Sequence, residues 1–158
     1  MGLSDTAQKV QNELTALGIA GNVIELPDST RTAVEAGQAI GCTVAQIVKS
    51  LVFKGAASGK PVLIEASGVN RVNERAVSAL IGEMIVKADA DFVREKTGYA
   101  IGGIPPVGHA SEMGVVLIDE DLLQYEELWA AAGTPHAVFP LTPQELIRIS
   151  GGRVVTIK

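Results

Sequence analysis

Apolar residues recur at helical spacing from Ser4 to Leu17, where Ala7, Val10, Leu14 and Leu17 share one face and Gly18 ends the run, so the pattern predicts an amphipathic helix. Val23 to Leu26 has the look of a strand closed by Pro27-Asp-Ser, and Thr32-x-x-Glu35 is a capping box that opens a helix to Ile40, stopped by Gly41. After Thr43, a plausible N-cap, Val44, Ile47, Val48 and Leu51 repeat at helical spacing. The reading is a short helix running directly into a strand at Leu51, with Lys49 at the junction. Leu51 to Lys54 and Pro61 to Ala66 are apolar enough for central strands, and Gly55 to Gly59 supplies hairpin turn residues between them.

Further on, Asn73 caps a helix to Ile81, Glu83 to Val86 is a short strand, and Asp89 caps a helix through Lys96. Val115 to Ile118 is a buried strand, Leu128 to Ala131 and Ala137 to Leu141 are two more, Thr142-x-x-Glu145 is a second capping box, and Arg153 to Ile157 closes the sheet. Helices and strands alternate irregularly, with no βα unit of constant length. The fold class expected is therefore α/β of the mixed α+β kind: a mixed, mostly antiparallel sheet with short helices packed around it. One domain over residues 1–158 is the expectation for this length, and 47% hydrophobic residues suffice for its core.

Composition narrows the function classes. No apolar run approaches a membrane span, and the first residues lack a basic segment followed by an apolar one, so a cytoplasmic protein without membrane association is expected. The single Cys42 excludes an intramolecular disulfide and fits a reducing compartment; two histidines argue against a metal site. The net charge of −5 argues against a broad phosphate-binding surface. The acidity is concentrated, however, in a block holding Glu112, Asp119, Glu120, Asp121, Glu126 and Glu127 and no base, which leaves Lys49, Lys54, Lys60, Arg71, Arg75 and Lys87 free to form a local basic mouth. Phosphate-binding loops, dinucleotide fingerprints, metal-ligand spacings and Gly-x-Ser-x-Gly elbows are all missing from the sequence, and no cofactor is expected.

Two stretches carry candidate chemistry. Lys49 lies beside an apolar stripe, where its ammonium either snorkels to water or is aimed at an anion in a cleft. In Gly102-Gly103-Ile104-Pro105-Pro106-Val107-Gly108, adjacent glycines let a ligand approach backbone amides, and two prolines stiffen the second half of the loop. Such a loop is either a tight turn or an oxyanion hole whose donors are Gly102, Gly103, Ile104 or residues beyond Pro106. Hydroxyls of Thr32, Ser50, Tyr99 and Thr134 are candidate contacts, although such residues also form caps and turns. His109 comes directly after the loop and either orients water, binds an amino group or is structural. Cys42, between a helix terminator and an N-cap, reads as structural.

Gln46-Ile-Val-Lys-Ser-Leu-Val52 and Thr97-Gly-Tyr-Ala-Ile-Gly-Gly-Ile-Pro-Pro-Val-Gly-His109, in this order and at this separation, resemble the YbaK/EbsC/ProX family. These are free-standing aminoacyl-tRNA deacylases related to the insertion domain of bacterial prolyl-tRNA synthetases. The similarity extends weakly from Thr32-Ala-Val-Glu35 through Arg71-Val-Asn73 to Ala132-Gly133 and Leu141-Thr-Pro-Gln-Glu-Leu146. It implies a compact domain with a curled mixed sheet, Lys49 as the essential lysine, and Gly102 and Gly103 as catalytic loop residues. It further implies Thr32, Ser50, Tyr99, Ile104, His109, Gly133 and Thr134 around a substrate. The partners implied are the acceptor end of an aminoacyl-tRNA and a prolyl-tRNA synthetase. The activity implied is hydrolysis of a small amino acid, such as Cys, Ala or Ser, from tRNA for proline; the alternative is a non-catalytic RNA- or synthetase-binding module of the same fold. His109 departs from the YbaK type, where Gln is expected, so the substrate is left open.

Overall fold

The structure, a computed structural model, describes residues 2–158. Along it run α1 (Asp5–Ala16), β1 (Ile24–Glu25), α2 (Ala33–Ile40), β2 (Ile47–Gly55), β3 (Pro61–Ser67), α3 (Glu74–Ile81) and β4 (Ile85–Lys87). Next come α4 (Ala90–Thr97), β5 (Val115–Asp119), β6 (Leu128–Ala131), β7 (Ala137–Leu141), α5 (Pro143–Ser150) and β8 (Arg153–Val155). The helix boundaries have local chemical causes. Ser4, Thr32, Asn73, Asp89 and Thr142 each cap a helix by accepting a first-turn N–H, and left-handed Gly41, Gly82, Gly98 and Gly151 end α2 to α5. No described helix is long and apolar enough to cross a membrane.

One predicted element is different. The segment after Thr43 is only a 3-10 turn, Val44–Gln46, and the strand already begins at Ile47, so Lys49 lies inside β2 and not at a helix end. The apolar residues from Val44 to Val52 fit both periods, but most are β-branched and half of the segment borders neighbouring strands, which favours the extended form.

The eight strands form one mixed sheet in the order β1-β7-β6-β2-β3-β5-β8, with β4 also on β2. Four of its pairings are antiparallel and three parallel. β2 pairs with β3 along Val48 to Lys54. Its other edge meets β6 only at Ile47 and Val48, and β4 only from Phe53 to Gly55. Between them, Lys49 to Val52 face no strand, and the sheet is open there.

Strand geometry fixes what this gap presents. Gly55 N–H donates to Lys60 O and Gly68 N–H to Ile47 O, so the backbone groups of odd-numbered β2 residues point at β3. Those of the even-numbered residues point the other way. Val48 and Lys54 meet β6 and β4 there, whereas Ser50 and Val52 turn their amides and carbonyls into the gap. Apolar side chains cover both faces of the sheet. One cluster, with Val48, Ile118, Phe139 and Leu146, packs under α1 and α5, and the other, with Phe53, Ile64 and Leu117, packs under Val77 of α3. The gap is thus a polar interruption in an otherwise dry layer.

Candidate active site

A cleft fills the gap, in two chambers that share Lys49, Ser50, Leu51, Ile101 and Ile104. The first, of about 380 Å³, has apolar walls from Ala33, Ala36, Ile47, Trp129, Ala130 and Val138. The second, of about 490 Å³, adds Arg71 and Lys87. Lys49 stands between them. Its ammonium forms no ion pair and no hydrogen bond with any described residue, and its pKa is pushed down, first by burial and then by the Arg71 charge, against the pull of Asp119. A half-buried cation without a counterion gains most when an anion enters beside it. Asp119 itself is occupied, accepting from Ser67 N–H at 3.0 Å and from the Asn70 amide at 2.8 Å, and so fixes the turn that leads to Arg71.

Gly102 and Ile104 of the glycine loop line the cleft together with Lys49. Gly102 has φ +95°, and a Cβ there would stand 2.5 Å from Arg31 Cγ, so only glycine fits. Gly103 has a different part from the one expected. Its N–H donates to Ala100 O at 3.1 Å and its carbonyl accepts from Gly133 N–H at 2.8 Å, so its amide is spent inside the loop. The N–H groups of Gly102 and Ile104 have no partner among the described residues and, with those of Ser50 and Val52, are the donors left at the cleft.

The remaining candidates divide. Thr32, Ser50 and Ile104 line the cleft, although the Thr32 hydroxyl is engaged in capping α2, accepting from Glu35 N–H at 3.1 Å. Tyr99, Gly133, Thr134 and His109 are not among its lining residues. Tyr99 is buried, with the Lys9 ammonium 5.5 Å from its ring centroid. Gly133 packs against Thr6, Tyr99 and Val10, and the Thr134 hydroxyl accepts from His136 N–H. His109 lies in a separate groove with Ser111 and Glu112; its Nε2 is 2.7 Å from Pro105 O, and burial lowers its pKa. It braces the proline segment and does not face Lys49. Of the six cations expected for a basic mouth, Lys49, Arg71 and Lys87 line the cleft, while Lys54 stacks over Phe92.

Sequence reasoning misses three features at the cleft: Arg31, Trp129 and the carboxyl behind Ser50. Glu65 is completely buried in β3 and opposes Ser50, whose hydroxyl lies 2.8 Å from its Oε2; its Oε1 has no partner among the described residues. Burial raises its pKa to about 7, with the Ser50 bond opposing. Below the unfolded value near 4.5 both states hold the proton and nothing is lost; as pH rises through about 7 the folded state must ionise a buried group. Stability should therefore fall by about 3 kcal/mol between pH 4.5 and 8 relative to Glu65→Gln, measured by denaturant unfolding. Parallel pH profiles of the two proteins would contradict this.

Comparison with known proteins adds to the geometry. A family model described as an aminoacyl-tRNA editing domain matches residues 27–149. A solved structure of a candidate trans-editing enzyme for prolyl tRNA synthetase is 48% identical, with a TM-score of 0.92 over 99% of both chains. The uncharacterized protein YwhH of Bacillus subtilis is 29% identical over 147 residues, covering 93% of this chain and 92% of that protein. A proline–tRNA ligase of Limosilactobacillus fermentum is 30% identical over 92 residues, which span 56% of this chain but only 16% of the ligase. The match covers the strand that carries Lys49, the glycine loop and every strand that borders the gap, and on this ground the chain belongs to the aminoacyl-tRNA editing domain family.

Proposed function

We propose that this protein is a trans-editing deacylase that hydrolyses the ester of a mischarged aminoacyl-tRNA, acting as one domain in the cytoplasm. The observation that carries the reading is the half-buried Lys49 ammonium, unpaired among the described residues, at a gap in the sheet and in one cleft with a loop that has free amides. In ester cleavage negative charge grows on the carbonyl oxygen. A fixed cation and preset N–H donors stabilise it without reorganising. The apolar first chamber suits a small uncharged side chain such as that of Cys, Ala or Ser, and Arg71 and Lys87 in the second suit the phosphate of the terminal nucleotide. The similarity to a ligase for proline points to tRNA for proline and to a prolyl-tRNA synthetase as partner. Such editing has a physical motive, because a synthetase pocket separates small apolar side chains by only about 1–3 kcal/mol per methylene.

Cys42 is not the nucleophile in this reading. Burial raises its thiol pKa, which keeps it protonated, and it does not line the cleft. Cys42→Ser should cleave every substrate at the wild-type rate; an inactive variant would restore a protein nucleophile. The test of the reading itself is ester loss from Cys-, Ala-, Ser- and Pro-tRNA for proline. Turnover of a small mischarged residue with Pro-tRNA spared is expected. Binding without turnover of any ester would make the protein a recognition module.

A further inference from the structure

Glu65 is a fully buried carboxyl whose Oε1 has no partner among the described residues. It sits in a strand whose every residue is buried, and Ser50 is its single hydrogen-bond partner among the described residues. Ser50 and Glu65 form a non-hydrogen-bonded cross-strand pair, the kind in which side chains approach most closely. Ser50 is also a residue of the cleft wall, next to Lys49 in the chain. Glu65 thus reaches the cleft only through Ser50. A carboxylate accepts and cannot donate, so an ionised Glu65 accepts the Ser50 hydroxyl hydrogen and leaves the Ser50 lone pairs free to accept another.

We propose that Ser50 and Glu65 form a proton relay that serves as the base and acid of ester hydrolysis, with Ser50 touching the attacking water and Glu65 acting through it. The proposal rests on the deacylase reading. Water passes a proton to Ser50 Oγ while Ser50 passes its own to Glu65 Oε2. The water oxygen bonds to the ester carbon, and the carbonyl electron pair moves to the oxygen beside Lys49. Collapse re-forms the carbonyl and breaks the bond to the ribose oxygen, which takes the proton back from Glu65 through Ser50. The products are the free amino acid and the tRNA with its terminal hydroxyl. Lys49, as a cation, cannot take that proton; Glu65, with a pKa raised to about 7 by burial, is matched to exchange it near neutrality.

Other ionisable groups on the elements packed against β3 are bound elsewhere, exposed or on the other face of the sheet. Lys49 leaves β2 on the opposite face from Ser50, Asp119 on β5 is bound to Ser67 and Asn70, and Asp121 in the turn after β5 is bound to Asn70 and Lys158. Glu120, in the same turn, is exposed, and His109, whose groove includes Leu63 two residues from Glu65 along β3, is engaged with Pro105 O. None of them is hydrogen-bonded to Glu65.

The test is the buffer-corrected, single-turnover rate against pH from about 5.5 to 8.5 for wild type, Glu65→Gln, Ser50→Ala and Ser50→Thr on one small aminoacyl-tRNA for proline. The substrate's own α-amine titrates near about 7.7–8.0 and shows in all four proteins. Wild type and Ser50→Thr should share an additional rise centred near 7. Glu65→Gln and Ser50→Ala should lack it and be slower by about 10²-fold or more at pH 7.5. If Glu65→Gln does not fold, the Ser50→Ala and Ser50→Thr pair decides. Wild-type rate and pH profile in Ser50→Ala or in a folded Glu65→Gln would overturn the relay alone, whereas no turnover by wild type would overturn the deacylase reading and the relay with it.

Discussion

Lys49→Ala should lower the deacylation rate by at least about 10²–10³-fold, the loss expected on removal of one group stabilising a developing oxyanion. Stability should hardly change, because the ammonium it removes pairs with none of the described residues and already bears a burial cost. A rate loss with an unchanged melting temperature separates a functional lysine from a structural one. Lys49→Arg should recover little. The guanidinium is larger and planar, and Arg71 already lowers the affinity of the site for a second positive charge. Full activity in Lys49→Ala would mean that the side chain merely reaches for solvent.

Gly103→Val should damage folding together with rate. A Cβ at Gly103 meets Gly133 C and Thr134 N at 3.1 Å, backbone atoms that cannot swing aside as a side chain would. Overpacking of this kind costs about 1–3 kcal/mol, which for a protein of this size lowers the melting temperature by about 2–4 °C per kcal/mol. The displaced loop would carry the Gly102 and Ile104 amides with it, so turnover should fall even where the protein remains folded. An active Gly103→Val with an unaltered melting temperature would show that the loop is not held against Gly133.

Much of this architecture is legible in the sequence, because its signals are local. Thr32, Asn73, Asp89 and Thr142 start helices through their own side chains, and Gly41, Gly82 and Gly98 end them through backbone freedom, so no distant contact is needed to place them. The pairing of Lys49 with the glycine loop is legible only through family resemblance. The features that sequence reasoning misses depend on packing. Residues 44–52 satisfy helical and extended periods alike, and the choice is made by β3, β4 and β6. His109 is the loop's immediate neighbour in sequence, yet the chain turns at Pro105-Pro106 and delivers it to another groove. Glu65 does leave a signal, a lone acid inside Pro61-Val-Leu-Ile-Glu-Ala-Ser67, but its meaning depends on the register that sets it opposite Ser50.

The most direct measurement of where the chemistry takes place is an NMR titration with a hydrolysis-resistant, amide-linked alanyl-adenosine monophosphate. The shifts expected are those of Lys49, Ser50, Gly102, Ile104 and Ala130, with Arg71 responding to the phosphate and His109 and Ser111 unmoved. Shifts centred on His109 and Ser111 with Lys49 silent would contradict a site built on the β2 gap.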